Sequence, residues 1–414
     1  MAIQRGRDMK IKCGGRRQMN TDIKVEVIYT ETITPSSPTP PHLKRVNLSV
    51  FDQMVPETYI PLLLFYPSLA NPETDTDHQV NCPISEISEN PDMEKLKYLF
   101  PAAVEFTHLL LVQVNFFECG GMAIAVNILH KVADAFTLST FLKSWAVAPL
   151  GSSSSCTTHD HPVLPPKFGS AASLYPSQDF LNSRKPNFVG SVQEKGTRRR
   201  FVFDASRIEA LKSKCASPAV PDPTRIEVVS ALIWKCAMEA SRSNLGVIRP
   251  SSWSQAVNMR KRRSGHAFTE NLMGNFVWSY TAAMTVNTEV DLQSLVATFR
   301  KCKEDYEVNF PNGVTVELAY QIIKESWKNL AKEGIDNYGC SSWCWFPFYE
   351  TNFGWGKPSW VSTRGFQVKN TVVLMDAKYG DGIEASLTFI EEKMAIFESN
   401  QELFAYASLN PSVI

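Results

Sequence analysis

The sequence has no excess of charge of either sign and no long apolar run. Its 414 residues include 42 lysines and arginines and 42 aspartates and glutamates, so no net charge draws the chain to nucleic acid or to an anionic membrane. The longest apolar stretches, such as Tyr59–Tyr66 and Leu109–Val114, are too short to span a bilayer. The basic first twenty residues lack an apolar core, so we do not expect them to act as a secretory signal.

The cysteine pattern argues against a disulfide framework and against structural zinc. Nine cysteines, an odd number, are scattered without a spacing rule, and no C-x-x-C pair occurs. This usage favours a reducing compartment, with the cytosol as the default. Cys340 and Cys344 have no histidine nearby in sequence, and His159 and His161 lie in a Ser/Pro-rich stretch that favours solvation over ligation. No metal site is predicted.

Common hydrolytic motifs are also missing. The chain has no Gly-x-Ser-x-Gly elbow, no Gly-x-x-x-x-Gly-Lys-Ser/Thr phosphate loop and no His-Glu-x-x-His motif. The triplet Gly380-Asp381-Gly382 is too incomplete for a dinucleotide-binding fingerprint. These absences argue against a hydrolase and against a nucleotide-binding fold.

The stretch 108–145 holds the pair of titratable residues that is best placed for chemistry. Two apolar, β-branched runs, 109–117 and 123–128, flank a Gly-Gly turn, which predicts a buried hairpin. Beyond Asp134 the apolar residues recur at helical spacing. His130 is therefore expected at a junction between a strand and a helix, with Asp134 four residues later.

A histidine at the end of a rigid strand suits a general base that works near neutral pH. The His-x-x-x-Asp spacing is a weak signal alone, because roughly one chain in four of this composition would contain it by chance. The residues alone equally allow a core histidine that bonds a backbone carbonyl, with Asp134 capping the helix that begins at Ala135. Both interpretations of His130 stay open at this level.

Composition divides the chain into two halves. Residues 1–20 are basic and predict a disordered extension, and residues 21–148 form a first domain that carries the hairpin. Residues 149–197 are rich in Ser, Pro and Gly, which predicts a long crossover. Residues 198–414 form a second domain of strands and helices, with a strong helical stripe at 225–241.

Eight segments together carry a specific resemblance. They are TPSSPTP at 34–40, SVFDQ at 49–53, FFECGGMAIAVNILHKVAD at 116–134, RFVFD at 200–204, PTRIEVVSALIWKC at 223–236, AVNMR at 256–260, SSWCWFPFYETNFGWGKP at 341–358 and GDGIEASL at 380–387. From about Val25 to its end the chain resembles the BAHD family of plant acyl-CoA-dependent acyltransferases, within its alkaloid-acylating branch. The resemblance implies an α/β fold of two similar-sized mixed-sheet domains, chloramphenicol acetyltransferase-like, with the active site at their interface.

The resemblance also implies a reaction. An acyl group, expected to be acetyl, passes from acyl-CoA to a hydroxyl of a hydrophobic plant specialised metabolite such as an alkaloid or terpenoid. His130 is implied as the base, and Asp134 as a partner that points away from the imidazole and pairs with Arg260. Acyl-CoA is a co-substrate, no bound cofactor is implied, and we expect a monomer without nucleic-acid or membrane partners. The alternative is a relative that binds CoA or a small molecule without turnover.

Other positions receive roles from the same resemblance. Ser341 and Trp343 are candidates for stabilising the oxyanion at the acyl site, with packing as the alternative role for Trp343. The hydroxyls of Ser37 and Thr39, on a proline-stiffened path, are candidates for lining a substrate channel. The implied structural supports of the NFGWG motif are Asn352, Gly354, Trp355 and Gly356.

Two departures from the family pattern carry expectations of their own. Asn352 stands where the family has an aspartate, so we expect a lost salt bridge and a looser loop. Between Pro67 and Val80 the chain lacks a segment of roughly forty to fifty residues that relatives carry beside the hairpin. We therefore expect exposed apolar surface or a cavity near His130, and a marginally stable first half.

Overall fold

The fold consists of two mixed β-sheets with helices packed on them. The computed structural model describes residues 2–6, 27–67, 83–89, 91–102, 108–148, 166–179, 196–260, 271–286, 290–309, 315–322, 334–365 and 368–413. The strands are β1 (Ala2–Gly6), β2 (Val27–Thr32), β3 (Tyr59–Tyr66), β4 (Leu110–Phe116), β5 (Met122–Leu129), β6 (Gly196–Phe203), β7 (Ser251–Asn258), β8 (Val277–Met284), β9 (Asp336–Ser342), β10 (Trp360–Ser362), β11 (Thr371–Asp376), β12 (Ile383–Ile390) and β13 (Ser408–Leu409). The helices are α1 (Val50–Met54), α2 (Ile84–Glu89), α3 (Ala135–Val147), α4 (Ser170–Leu174), α5 (Ala205–Cys215), α6 (Arg225–Leu245), α7 (Leu292–Asn309), α8 (Glu391–Phe397) and α9 (Gln401–Tyr406).

The strand orders are β10-β3-β5-β4-β1-β2 in the first sheet and β13-β6-β12-β11-β9-β7-β8 in the second. In the second sheet β7, β9 and β11 run parallel, so their carboxyl ends meet at one edge. Loops that follow parallel strands at such an edge are a common place for a binding site. The long helix α6 packs against this sheet. It ends at Gly246, whose φ of 70° favours glycine.

The predicted hairpin is present as β4 and β5, which pair antiparallel across a turn in which Gly120 has a φ of 76°. On the other side of β5 lies β3, and every residue of β3 is buried. Leu62 and Leu64 belong to one apolar cluster, whereas Leu63 and Phe65 belong to another on the opposite face. A strand that is covered on both faces has no polar side to alternate with, so its sequence is continuously apolar.

The expected exposure of apolar surface beside the hairpin is not seen on β3. Its first face is covered by α3 and by side chains of the second half such as Trp343, and its second face by residues 84–100. Trp360 adds a stacked contact to Phe65, with ring centroids 4.8 Å apart. The second half of the chain therefore supplies much of the cover. Residues 68–82, where the shortening was predicted, lie outside the described residues.

The amino terminus differs from the prediction of a disordered extension. Residues 2–6 form β1, which pairs parallel with β4 and antiparallel with β2. The physical reason is that the open edge of β4 presents unpaired backbone N–H and C=O groups, which favour pairing with any extended segment. Residues 7–20 of the predicted extension lie outside the described residues.

The predicted boundary between the halves is crossed by one strand. Although β10 lies within 198–414, it pairs antiparallel with β3 in the first sheet, with Trp360 opposite Phe65. The second half therefore does not form a separate unit, because one of its strands completes the edge of the first sheet beside β3. In the predicted crossover 149–197, residues 166–179 include α4 and the last two residues already belong to β6.

Candidate active site

A cavity of about 230 Å³ lies where the end of the hairpin meets the edge of the second sheet. Both halves of the chain line it. The first half contributes His130, Asp134 and Phe136, and the second half contributes side chains of β7, β8 and the end of β9. Most of the lining is apolar, with Val55, Ile60, Ala135, Val257, Val277 and Phe346 among its residues. Such a cavity favours a hydrophobic ligand that is oriented by a few polar groups.

His130 lies at the junction predicted from the sequence, in a short 3₁₀ turn directly after β5. Its backbone N–H donates to the carbonyl oxygen of Thr58 at 2.8 Å. Its ring nitrogen Nδ1 lies 3.0 Å from the carbonyl oxygen of Ala133. Because a carbonyl oxygen only accepts hydrogen bonds, Nδ1 carries the proton and Nε2 carries a lone pair. The imidazole is thus held in the tautomer that a general base requires.

The environment keeps this imidazole neutral. Burial lowers the pKa of His130 below its usual value, and this effect outweighs the opposing influence of the Asp134 carboxylate and of nearby hydrogen bonds. A histidine with a lowered pKa holds its lone pair at neutral pH. His130 therefore combines the two interpretations of the sequence, because it bonds a backbone carbonyl and also lines the cavity.

The lowered pKa gives the first prediction, which concerns the pH dependence of turnover. For the general-base role expected of His130, kcat/KM should lie on a plateau at neutral pH and fall only below about pH 6.5, because a base must be unprotonated and the ordinary histidine pKa is about 6.5. Initial rates at a subsaturating acceptor concentration, measured from pH 5 to pH 9, give this profile. A limb with an apparent pKa well above 6.5 on the acid side would contradict a buried, neutral base.

Asp134 forms a buried ion pair with Arg260. The two Nη atoms of Arg260 donate to the carboxylate at 2.7 and 3.2 Å, and the side chains are 3% and 2% exposed. The same carboxylate accepts from the backbone N–H of Thr137 at 2.8 Å, where it caps α3, and from that of Phe276 at 3.0 Å. One carboxylate thus joins the helix after His130 to a segment more than a hundred residues away.

The charge state of Asp134 follows from these contacts. Burial by itself raises the pKa of this carboxyl, but the charge and hydrogen bonds of Arg260, with the two backbone donors, outweigh it, and the net pKa is lowered. Asp134 is therefore ionised at neutral pH and is paired with Arg260. Its contacts tie the start of α3 to Arg260 and to the backbone of Phe276.

Asn275 and Asp52 also hold the junction, and the sequence analysis missed both. Nδ2 of Asn275 donates to the carbonyl oxygen of His130 at 2.6 Å and to Oδ1 of Asp52 at 2.9 Å. Asp52 also forms a capping box with Ser49 at the start of α1. The Ser-x-x-Asp spacing signals that cap. No local pattern signals the contact between Asp52 and Asn275, which are 223 positions apart.

Ser341 and Trp343 lie at the end of β9 and both line the cavity. Nε1 of Trp343 donates to Oγ of Ser341 at 3.0 Å, and the indole is 2% exposed and packs near Phe348. The indole N–H is thus engaged within the protein, which differs from its expected part as a direct donor to an oxyanion. Because Ser341 Oγ accepts that bond, its own hydroxyl proton remains free to point to another acceptor. Ser341 is therefore better placed than Trp343 to donate to a group in the cavity.

The structure does not bring Ser37 and Thr39 to the cavity. Both residues are exposed, in an irregular segment that precedes the turn at Pro41–Leu43. The first cavity-lining residue that follows them in sequence is Val55, after α1. The proline-rich path therefore lies on the surface, because its prolines leave few backbone donors for pairing within a sheet.

The NFGWG loop is held by Asn352 itself. Its exposed side-chain oxygen accepts from the backbone N–H groups of Gly354 and Gly356, both at 2.9 Å. The two glycines have φ values of 109° and 107°, which other residues rarely adopt. The expected loosening from the missing charge is therefore not seen, because an amide oxygen makes the same two bonds as a carboxylate. Trp355 stacks on Phe353, with ring centroids 5.3 Å apart, beside the first sheet.

In the described ranges, no three His, Cys, Asp or Glu side chains converge in the way a metal site requires. The same ranges include no helix that is both long and apolar enough to cross a membrane.

The two-sheet fold, with a cavity where both halves of the chain meet, belongs to a class of protein that comparisons with known proteins identify. The model of the Transferase family matches residues 23–81 and 74–404. Akuammiline synthase 1 of Alstonia scholaris is 36% identical, over 91% of this chain and 96% of its own. Minovincinine 19-hydroxy-O-acetyltransferase of Catharanthus roseus is 32% identical, over 94% of this chain and 99% of its own.

Solved structures agree with this assignment. The crystal structure of vinorine synthase superposes with a TM-score of 0.79 at 28% identity, and covers 94% of this chain and 99% of that one. The F. graminearum protein TRI101, solved with coenzyme A and T-2 mycotoxin, shares the fold with a TM-score of 0.63 at 15% identity. The chain belongs to the Transferase family and, within it, to the BAHD acyltransferases, which are acyl-CoA-dependent enzymes.

The comparisons also bear on the predicted shortening. The family match is broken into two stretches that meet at residues 74–81, within the region where the sequence departs from the family pattern. The alignment with Akuammiline synthase 1 has 419 positions yet takes in 91% of this 414-residue chain. That relative therefore has residues for which this chain has no counterpart.

Proposed function

We propose that this enzyme transfers an acetyl group from acetyl-CoA to a hydroxyl of a hydrophobic plant metabolite of the alkaloid or terpenoid class. The observation that carries the proposal is the tautomer of His130, whose Nδ1 is bonded to Ala133 at the wall of an apolar cavity. A neutral imidazole with a basic Nε2 is the group that activation of an alcohol requires. Among the described residues that line this cavity there is no other histidine.

The reaction proceeds by direct attack of the acceptor oxygen. Nε2 of His130 takes the proton from the acceptor hydroxyl as the oxygen bonds to the thioester carbonyl carbon, and the carbonyl π electrons move onto the oxygen. When this tetrahedral intermediate collapses, the C–S bond breaks and the thiolate of CoA leaves. The imidazolium then returns its proton to the sulfur. The products are the acetyl ester and CoA, and His130 is neutral again.

The hydroxyl of Ser341 is the proposed donor to the oxyanion. It lines the cavity on the side of β9, and the indole of Trp343 fixes it through the 3.0 Å hydrogen bond. A preorganised donor stabilises charge that appears only in the transition state, so it acts on kcat more than on substrate binding. Trp343 is thus proposed as a positioning residue.

The second prediction tests this donor. Ser341→Ala is expected to lower kcat by about 10²–10³-fold with little change in KM, because it removes a single oxyanion donor. Steady-state rates at saturating acetyl-CoA measure the effect. Ser342→Ala is the matched control, since it removes a neighbouring hydroxyl from the same cavity and is expected to change kcat much less. If the two variants lose activity equally, Ser341 has no special part in catalysis.

The substrate class rests on the cavity and on the relatives. The cavity wall is mainly apolar, which suits a polycyclic acceptor better than a sugar or an amino acid. Similar proteins include a deacetylvindoline O-acetyltransferase and a limonoid 7-O-acetyltransferase. Coenzyme A is bound in the solved structure of a protein of the same fold. One relative is an N-malonyltransferase, so malonyl-CoA is the second donor to test.

The decisive experiment is an assay of acyl transfer with mass detection of the product. The purified chain is incubated with acetyl-CoA or malonyl-CoA and a panel of alkaloid and terpenoid alcohols, with His130→Ala as the negative control. Ester formation that depends on His130 is the expected result. Saturable CoA binding without product from any acceptor would favour the second candidate, a relative that binds its ligands without turnover. The shortening expected between Pro67 and Val80, where the family match divides into two stretches, favours this candidate.

The compartment and the assembly belong to the same proposal. We place the enzyme in the reducing cytosol as a monomer. Each cysteine found free in the described part of the chain carries a thiol, and burial raises the pKa of Cys215 to about 11 and of Cys344 to about 12, which keeps these thiols protonated. Size-exclusion chromatography with light scattering tests the monomer, since a dimer would double the mass.

A further inference from the structure

A layer of polar side chains lies between the two halves of the chain, away from the catalytic cavity. It is carried by β6 and β12, which pair so that Arg198 faces Thr388 and Arg200 faces Ser386. All four residues are buried, and none of them lines the cavity. Buried polar groups in proteins nearly always have partners, so each of these groups must be accounted for.

The positive charge of Arg200 is balanced by the carboxylate of Glu384. Its Nε and Nη2 donate to the two carboxylate oxygens of Glu384 at 2.6 and 2.9 Å, and its guanidinium lies 5.3 Å from the ring centre of Trp360. This bidentate pair is neutral overall. It shows what a satisfied arginine in this layer looks like.

Arg198 lacks such a partner. Its side chain is 10% exposed, and the nearest carboxylate oxygen, on Glu94, is 3.9 Å from Nη1. That distance is too long for a hydrogen bond, and the side chain of Glu94 is itself 42% exposed. The Nε–H of Arg198 is buried and has no hydrogen-bond partner within the described ranges. The positive charge of Arg198 is therefore only weakly balanced.

Arg364 adds a second guanidinium to the same place. It is half-buried, two residues after β10, and its guanidinium lies 5.4 Å from the ring centre of Phe100. Within the described ranges, no carboxylate pairs with it. Burial, together with the positive charge of nearby Arg198, lowers the pKa of Arg364. Both arginines therefore lie against the same segment of the first half, Arg198 near Glu94 and Arg364 near Phe100.

The same polar layer holds a hydroxyl without a partner among the described residues. Oγ of Ser386 is buried and makes no hydrogen bond. The backbone after Arg364 passes directly over it, because a Cβ atom on Gly365 would lie 3.3 Å from Ser386 Oγ and 3.8 Å from Thr388 Oγ1. Ser386 and Thr388 alternate on β12 with core residues, so both face the layer that holds Arg198.

We propose that Arg198, Arg364 and Ser386 form a binding site for a small tetrahedral oxyanion, such as inorganic phosphate or sulfate. The guanidinium groups and the hydroxyl are all donors, and an oxyanion accepts from several donors at once and neutralises the repulsion between the arginines. Arg198 and Ser386 belong to the second sheet, whereas Arg364 follows the strand that joins the first sheet. The anion therefore links the two halves whose interface forms the catalytic cavity.

Thermal unfolding at constant ionic strength tests this site. Phosphate replaces chloride in steps, and we expect the Tm of the full chain to rise by about 2–5 °C and to saturate. In Arg364→Gln the rise is abolished, and in chloride alone this variant melts at the same temperature as the original chain or higher, because the repulsion is gone. Arg249→Gln, at an exposed arginine, is the control and keeps the full phosphate response.

A second experiment distinguishes a free ion from the 3′-phosphate of CoA as the source of the anion. CoA and 3′-dephospho-CoA are added separately in chloride buffer. A stabilisation that needs both Arg364 and the 3′-phosphate assigns the site to the donor, whereas a response to phosphate alone assigns it to a free ion. Isothermal titration of phosphate should show one site per chain, lost in Arg364→Gln. The proposal is overturned if phosphate leaves the Tm unchanged, or if Arg364→Gln responds to it as the original chain does.

Discussion

Replacement of His130 by alanine is expected to lower kcat/KM for acyl transfer by about 10²–10⁴-fold while the chain stays folded, because this change removes the general base. The His130 side chain bonds the carbonyl oxygen of Ala133 through Nδ1. The contacts that fix the junction use its backbone, since its N–H bonds Thr58 and its carbonyl oxygen bonds Asn275. Alanine keeps both of these contacts.

The measurement is a steady-state assay with matched thermal unfolding. His42→Ala is the control, because His42 is an exposed histidine in the turn at Pro41–Leu43 and is expected to leave rate and Tm unchanged. Loss of the rate with a Tm within a few degrees of the original chain identifies a catalytic group. A His130→Ala enzyme that turns over at the original rate would remove His130 from the mechanism.

Replacement of Asp134 by asparagine is expected to lower the free energy of unfolding by about 3–5 kcal/mol, because it leaves the buried Arg260 without its counter-charge. Both side chains are at most 3% exposed, so water cannot solvate the stranded guanidinium. Activity should fall as well, because the carboxylate caps α3 next to His130, and a displacement of the base by about 1 Å can cost roughly a hundredfold in rate.

A double-mutant cycle with Arg260→Met separates the pair from its surroundings. The double variant is expected to be more stable than the sum of the two single losses predicts, since neither charge is then stranded. The control pair is Glu350–Lys357, which is 2.5 Å apart with side chains 57% and 60% exposed. Glu350→Gln should cost less than about 1 kcal/mol. Additive losses at Asp134 and Arg260 would contradict a coupled ion pair.

The pH dependence of this loss has a definite sign. The pKa of Asp134 is lower in the folded chain than the value of about 3.9 for an unfolded aspartate. A lowered carboxyl pKa contributes stability that is present above the unfolded value and is lost as the pH falls through the folded value. The difference in unfolding free energy between Asp134→Asn and the original chain should therefore be full at pH 7 and shrink in strong acid, as urea titrations can show.

The sequence by itself determined the elements whose causes are local. The apolar runs around Gly120 predicted the hairpin of β4 and β5, and the spacing of apolar residues predicted α6. The change of period after β5 placed His130 at a junction and Asp134 at a helix cap, and the structure has both. Periodicity and turn chemistry act within about twenty residues, so a single sequence displays them.

Only the tertiary structure decided which distant segments meet. Asn275 reaches His130 across 145 positions and Asp52 across 223, and β10 leaves its own half to pair with β3. The amino-terminal strand likewise takes the edge of β4, although its basic composition predicted disorder. Each of these contacts exists because packing the two sheets brings open edges and unpaired polar groups together, and the free energy of satisfying them depends on the whole fold and on no local pattern.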